Sequence, residues 1–264
     1  MSTHVPAAVA GLEPTLPSSW YSSPQVFALE KERIFCREWI CVAREEELAA
    51  PGAHRVLDIL GESVLVVRSR EGQLRAFYNV CRHRGSRLCR DPQAGAAPAA
   101  LGGGIAGGRI TCPYHQWTYD LDGRLIAAPY LSGEPGFDKS LFSLYPVGVD
   151  TWGGFIFLNL SPAKAVPLQA QLAAIPARLA RYPLSELRIG RTIRYQVGAN
   201  WKVICENYNE CYHCAGVHPE LCALVPAFRE RGGANLDWAR GIAHRPALTR
   251  SRARGRPGGA RSRA

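Results

Sequence analysis

The sequence predicts an α+β protein in which a small antiparallel β domain lies between helical segments. Three observations predict it: short β-rich runs separated by turn pairs from about residue 54 to 160, apolar residues at helical spacing on either side of them, and a length of 264 residues, which suits one large or two medium domains. Two units is the expected count.

In chain order, Ser23-Pro24 followed by Val26, Phe27, Leu29, Ile34 and Phe35 reads as a capped amphipathic helix. Val64-Leu65-Val66-Val67, Ala76-Phe77-Tyr78 and Phe155-Ile156-Phe157-Leu158 read as strands, with turns at Glu71-Gly72 and Asp122-Gly123. Residues 94–108 are almost wholly Ala, Gly and Pro and predict a flexible surface loop. Leu168, Leu172, Ile175 and Leu179 share one helical face, Arg191 to Val197 predicts a strand, and a helix is expected from Asn200-Trp201-Lys202 through Glu206 and Glu210 to His213. The resulting organisation is an N-terminal helical segment (1–45), a β domain (46–160), a mixed domain (161–237) and a disordered Arg-rich tail (238–264).

The net charge of +10 invites a nucleic-acid reading, but eight arginines and no acidic residue lie between Arg240 and the C-terminus, leaving 24 basic against 22 acidic side chains elsewhere. A tail without lysine or aromatic residues lacks the stacking groups of a nucleic-acid surface, so no nucleic-acid partner is expected. No apolar run approaches the ~20 residues that span a bilayer, and no signal segment opens the chain. Nine cysteines, several beside histidines, suit thiolate metal ligation in a reducing compartment, so a soluble cytoplasmic protein is expected.

Cys81-Arg82-His83 and Cys112-Pro113-Tyr114-His115 form two Cys/His pairs, each where a β run gives way to a turn. Two thiolates on one iron and two imidazoles on the other would hold a Rieske-type [2Fe–2S] cluster. Two cysteines and two histidines also satisfy tetrahedral zinc, and spacing alone leaves both open. The flanking residues, Cys81-Arg82-His83-Arg84-Gly85 and Cys112-Pro113-Tyr114-His115-Gln116-Trp117-Thr118-Tyr119-Asp120, closely resemble the Rieske domain of the Rieske non-heme iron (aromatic-ring-hydroxylating) oxygenases, which favours the cluster. The 28 residues between the pairs exceed the family's usual spacing, and the excess coincides with the Ala/Gly-rich stretch, read as an outward-bulging insertion.

A second constellation is Glu206-Asn207-Tyr208-Asn209-Glu210-Cys211-Tyr212-His213-Cys214-Ala215-Gly216-Val217-His218. On a regular helix His213 and His218 would point about 140° apart, so the helix is expected to loosen between them, with Gly216 as the break. Two imidazoles and a carboxylate could then bind a non-heme iron and leave positions open for dioxygen. Glu210 lies three residues before His213, hence on the same face of the expected helix. Cys211 and Cys214 are read as ordinary packing cysteines rather than ligands.

This segment and Asn200-Trp201-Lys202 resemble the iron-binding region of the same family's alpha subunit. The resemblance implies that His213 and His218 are iron ligands and that Glu210 stands where a carboxylate links the iron centre to a Rieske histidine of a neighbouring subunit. Glutamate within Glu-Cys-Tyr-His-Cys looks closest to the members acting on quaternary amines such as choline, glycine betaine or carnitine. It implies an incomplete helix-grip-like catalytic domain, an antiparallel sheet with helices, after the Rieske domain. The cofactors implied are a [2Fe–2S] cluster and mononuclear non-heme Fe(II), with NAD(P)H acting through a flavin/iron–sulfur reductase, and a homotrimer is expected. The activity implied is O2-dependent mono- or dioxygenation of a small organic substrate; the alternatives are an aromatic-ring dioxygenase component or an inactive fragment retaining only the electron-transfer cluster. The family's third iron ligand comes from further downstream. After His218 the only acidic residues are Glu220, Glu230 and Asp237, too near to match it, so the chain reads as a truncated or frame-shifted product.

Overall fold

In the computed structural model, residues 15–92, 104–131 and 133–232 are described. They fall into two compact units, one built from residues 23–194 and the other from 15–22 with 195–232. The helices are α1 (Ser19–Ser22), α2 (Pro24–Glu30), α3 (Leu168–Leu172), α4 (Ile175–Leu179), α5 (Trp201–Asn209), α6 (Cys214–Val217), α7 (Pro219–Leu224) and α8 (Ala227–Arg231). The strands are β1 (Ile40–Arg44), β2 (His54–Ile59), β3 (Glu62–Arg68), β4 (Leu74–Tyr78), β5 (Gly104–Ala106), β6 (Arg109–Thr111), β7 (Thr118–Asp120), β8 (Leu125–Ala127), β9 (Pro146–Trp152) and β10 (Phe155–Asn159). Among the described residues, no helix is long and apolar enough to cross a membrane.

All ten strands lie in the unit formed by 23–194. One sheet has the order β1-β10-β9-β4-β3-β2 and the other β5-β6-β7-β8, and every pairing is antiparallel. The continuous apolar run in β3 follows from burial on both faces: Val64 and Val66 enter one core with Leu48, Ile156 and Leu158, while Leu65 and Val67 enter another with Ile110, Trp117 and Tyr119. Each of those four β3 side chains is at most 1% exposed, so each contributes roughly 1.5–3 kcal/mol by leaving water. The second core also contains Cys81 and Cys112, so the packing that holds the strands together fixes both cysteines. The turn between β7 and β8 closes against β4: a Cβ added at Gly123 (φ +83°) would stand 2.5 Å from the Phe77 ring, a space only glycine leaves free.

The strands expected at Val64–Val67, Ala76–Tyr78 and Phe155–Leu158 fall within β3, β4 and β10. At the N-terminus, Ser23 caps α2 by accepting from the Val26 N–H at 3.4 Å, as expected. Three local expectations are corrected. The helix through Leu168 and Leu179 is two short helices, because Pro176 cannot donate to Leu172 and its ring would clash with that carbonyl, so the chain breaks at Ala173 (φ +47°). Residues Arg191 to Val197 form no strand; alternation alone does not make one, and Ile193, Tyr195 and Val197 stand 55–79% exposed with no neighbouring strand among the described residues. Of the stretch 94–108, expected as loop, residues Gly104–Ala106 are strand β5, paired with β6; the expectation for 94–103 and for the tail from 238 lies outside the described residues.

Candidate metal centres

The first centre is built by two loops of the 23–194 unit. One follows β4 and carries Cys81 and His83; the other joins β6 to β7 and carries Cys112 and His115. The loops share a backbone design. In each, the cysteine N–H donates to the carbonyl five residues on (Cys81 to Ser86 and Cys112 to Trp117, both 2.8 Å), and its C=O accepts from the residue four on (Gly85 at 3.0 Å, Gln116 at 3.2 Å). The residue four on is left-handed in both, Gly85 at φ +70° and Gln116 at φ +60°.

These loops bury the thiols and present the imidazoles. Cys81 and Cys112 are 3% and 2% exposed, whereas His83 is exposed and His115 half-buried. The two imidazole centroids lie 4.7 Å apart, and His83 stacks on Trp117 at 4.9 Å with 8° between planes. Trp117 is itself held edge-on by Phe137 and Phe142. The Arg82 N–H donates to the Tyr119 oxygen at 3.1 Å, and the Tyr119 hydroxyl lies 3.3 Å from Cys81 Sγ, to which it would donate when Cys81 is a thiolate. Burial pushes the Cys81 thiol up, opposed by that hydrogen bond, and the neighbouring Cys112 raises it further. Desolvation, His115 and Arg84 together hold His83 below the ordinary imidazole value, in the neutral form that has a lone pair for a metal.

The donor set fits a cluster with two unlike irons. Sulfur is gathered with sulfur in the core and nitrogen with nitrogen at the rim, the arrangement that gives each iron two protein ligands of one kind.

Sequence reading missed the side chains that hold these loops. Asn79, 2% exposed, donates to Ser63 Oγ and the Cys89 carbonyl and accepts from the Leu88 and Cys89 N–H groups, fixing the chain on the far side of the first loop. Arg82 donates to the Ser143 carbonyl at 2.6 Å and lies over the Tyr145 ring at 4.0 Å. Their signal in sequence was only adjacency to the ligand pairs.

The second candidate centre lies in the unit of 15–22 and 195–232. Asn200 caps α5 by accepting from Lys202 N–H at 3.0 Å, and Tyr21 ties α1 to α5 through its hydroxyl, which donates to Glu206 at 2.7 Å. Glu206 in turn holds the Tyr21 phenol above its ordinary value. The expected helix to His213 ends at Asn209, and Glu210 is extended (φ −119°, ψ 157°). Glu210 therefore does not meet His213 across a helical face. It reaches back through a tight turn instead, with one carboxylate oxygen 2.5 Å from His213 Nδ1 and the other accepting from the Tyr212 N–H. Hydrogen bonding to His213 and Tyr212 keeps its carboxyl below the usual range.

Gly216 is not the break between the histidines; it lies inside α6. His213 precedes α6 and His218 follows it at φ −124°, ψ 62°, because Pro219 excludes helical backbone from the residue before it. The outcome is still convergence: the His213 and His218 rings lie 5.2 Å apart at 74°. With Nδ1 occupied by Glu210, the Nε2 of His213 is the nitrogen free for a metal. Cys211 and Cys214 are not merely packing cysteines but are joined by a disulfide across Tyr212-His213. An open cleft of ≈ 610 Å³ runs along α5, lined by Trp201, Lys202, Cys205, Glu206, Asn209 and Glu210 with Thr15 and Leu16.

Both centres lie in segments that match known families. The Rieske [2Fe-2S] domain model matches residues 38–145, and that of the ring hydroxylating alpha subunit (catalytic domain) matches 184–262. The chain belongs to the Rieske non-heme iron oxygenases. Membership implies a Rieske cluster and a mononuclear iron, whose ligand types the two sites contain. The carnitine monooxygenase oxygenase subunit of Acinetobacter baumannii is 41% identical over 226 residues, covering 85% of this chain and 58% of the relative. The glycine betaine monooxygenase oxygenase subunit of Chromohalobacter salexigens is 41% identical over 207 residues, covering 78% of this chain and 44% of the relative. A solved structure of the quaternary ammonium Rieske monooxygenase CntA with gamma-butyrobetaine matches at a TM-score of 0.69 and 40% identity, over 78% of this chain and 56% of that one. Naphthalene 1,2-dioxygenase matches more distantly, at a TM-score of 0.64 and 26% identity over 81% of this chain and 48% of that one. The chain thus spans about half the length of these relatives.

Proposed function

We propose that this chain is part of a cytoplasmic quaternary-amine Rieske monooxygenase and carries its electron-transfer centre and two of its iron ligands. The observation that carries the reading is the sorting of donors at the first centre, thiols buried together and imidazoles together at the surface. Cys81, Cys112, His83 and His115 would hold the cluster, and His213 and His218 the iron. When bound, these groups supply one-electron transfer and dioxygen activation. Tyr119 holds its proton on Cys81 Sγ, Trp117 fixes the His83 plane, and Glu210 holds the Nδ1 proton of His213 so that Nε2 presents its lone pair.

Glu210 is the catalytic carboxylate of this scheme, linking the iron-site histidine to a Rieske histidine of a neighbouring copy in a homotrimer. Electrons enter from NAD(P)H through a flavin/iron–sulfur reductase. Similarity near 41% to carnitine and glycine betaine monooxygenase subunits, against 29% to a biphenyl dioxygenase alpha subunit, supports an amine over an aromatic substrate.

The test is NADH-dependent oxygen uptake with a supplied reductase, comparing carnitine, glycine betaine and choline with aromatic acids. Uptake with an amine supports the reading; uptake with aromatic acids alone discards the amine. Iron content separates an oxygenase from a mere electron carrier, since about three irons per chain fill both centres and about two fill only the cluster.

A further inference from the structure

Resting on the reading of His213 and His218 as metal ligands, we propose that Cys211 and Cys214 are a reversible oxidative modification site whose bridged form holds this pair in its metal-binding arrangement. The bridge closes a four-residue loop, Cys211-Tyr212-His213-Cys214, around a candidate ligand. It is anchored on the Cys214 side. Cys214 is 3% exposed, and its carbonyl accepts from the His218 N–H at 2.9 Å; the His213 carbonyl accepts from Val217 N–H at 3.0 Å. Cys211 is partly exposed and offers the sulfur that a small reagent can reach.

His213 lies between two helices, its backbone held as the N-cap of the four-residue α6, since α5 ends at Asn209. Opening the bridge releases the loop closure while leaving only Glu210 on the ring, so the two imidazoles lose their mutual placement. None of the other seven cysteines is disulfide-bonded, which makes this pair the one covalently closed dithiol of the chain.

The oxidant is a low-molecular-weight disulfide such as oxidised glutathione. The Cys211 thiolate attacks one of its sulfurs, releasing the first small thiol and leaving a mixed disulfide; the Cys214 thiolate then attacks the Cys211 sulfur and releases the second. Two electrons pass from the cysteine pair to the reagent, both protons end on the released thiols, and reduction is the reverse. Because coupling between two equilibria is reciprocal, metal at His213 and His218 makes the bridge harder to reduce by the factor with which the bridge tightens metal.

The full chain, cluster loaded, is equilibrated in glutathione buffers of graded ratio, alkylated and read by peptide mass spectrometry, with and without Co(II). Co(II) affinity is measured in parallel by equilibrium dialysis on the oxidised chain, on C211S/C214S and on H213A/H218A. The expected results are a bridge that forms and opens reversibly, Co(II) binding about tenfold or more weaker in C211S/C214S, and a matching shift of the wild-type bridge midpoint when Co(II) is added. Both thiols remaining fully alkylatable in oxidising buffer overturns the site. Equal Co(II) affinity with and without the bridge, or no midpoint shift, overturns the coupling. Co(II) binding no better in wild type than in H213A/H218A overturns the ligand assignment and the coupling with it, and is recognisable because the bridge still forms in the alkylation assay.

Discussion

The Tyr119 hydroxyl stands between the Arg82 N–H and Cys81 Sγ, a candidate cluster sulfur. A hydrogen bond to a thiolate stabilises the reduced, more negative state more than the oxidised one. Tyr119→Phe is therefore expected to lower the cluster's midpoint by about 40–60 mV, the equivalent of about 1–1.4 kcal/mol for one electron; film voltammetry on the loaded chain measures it, and an unchanged midpoint removes Tyr119 from the cluster's tuning. Cys89 lies nearby but belongs to the core, 4% exposed, with its thiol pushed by burial from 9.0 up to about 12. Its folded value is the higher one, so the folded chain binds the extra proton, and the associated stability is complete below pH 9 and is lost as pH rises towards 12. Cys89→Ala is expected to flatten this part of the alkaline fall, read by denaturant midpoints at pH 8 and 10.5, and Cys89 of the folded wild type should resist alkylation at pH 8.

At the scale of elements, the two ligand loops share one backbone path but not one sequence. The left-handed residue is glycine in the first and glutamine in the second. Gly85→Ala should cost about 1 kcal/mol, whereas Gln116→Gly should be neutral or gain up to about 0.5–1 kcal/mol; thermal melts should fall for the first variant and hold or rise for the second, and a destabilised Gln116→Gly would mean that the glutamine side chain itself has a structural role. Asn79 places the first loop through four hydrogen bonds. Asn79→Leu leaves buried backbone groups of Leu88 and Cys89 unpaired, a loss of about 2–4 kcal/mol, and should yield a chain depleted in the cluster's visible absorbance.

In the unit of 23–194, the cysteines lie within the core formed where the two sheets meet β3, so cluster and fold are linked. Chelating the cluster should lower that unit's melting temperature, because a group that binds only the folded form stabilises it by mass action. Leu65→Ala, which opens this core from its centre, should cost about 2–5 kcal/mol and lower cluster occupancy together with stability. Calorimetry before and after chelation tests the linkage; an unchanged melting temperature would show that the cysteines are held independently of the cluster.

Read alone, the chain of residues determined the two Cys/His pairs, the apolar runs of β3, β4 and β10 and the His213/His218 segment, because each is a local pattern of residue type whose chemistry does not depend on distant contacts. Tertiary structure decided what depends on neighbours. The alternating stretch from Arg191 to Val197 has strand composition but no partner strand among the described residues, and a strand's hydrogen bonds are made between segments. Asn79 and Tyr119 acquire their roles from groups that folding brings to them, and the Cys211–Cys214 bond is a tertiary fact that spacing alone did not declare. The stop at Asn209 places Glu210 on His213 through a turn rather than along a helical face, and Pro219 bars helical backbone at His218 where a glycine at 216 merely permits its loss.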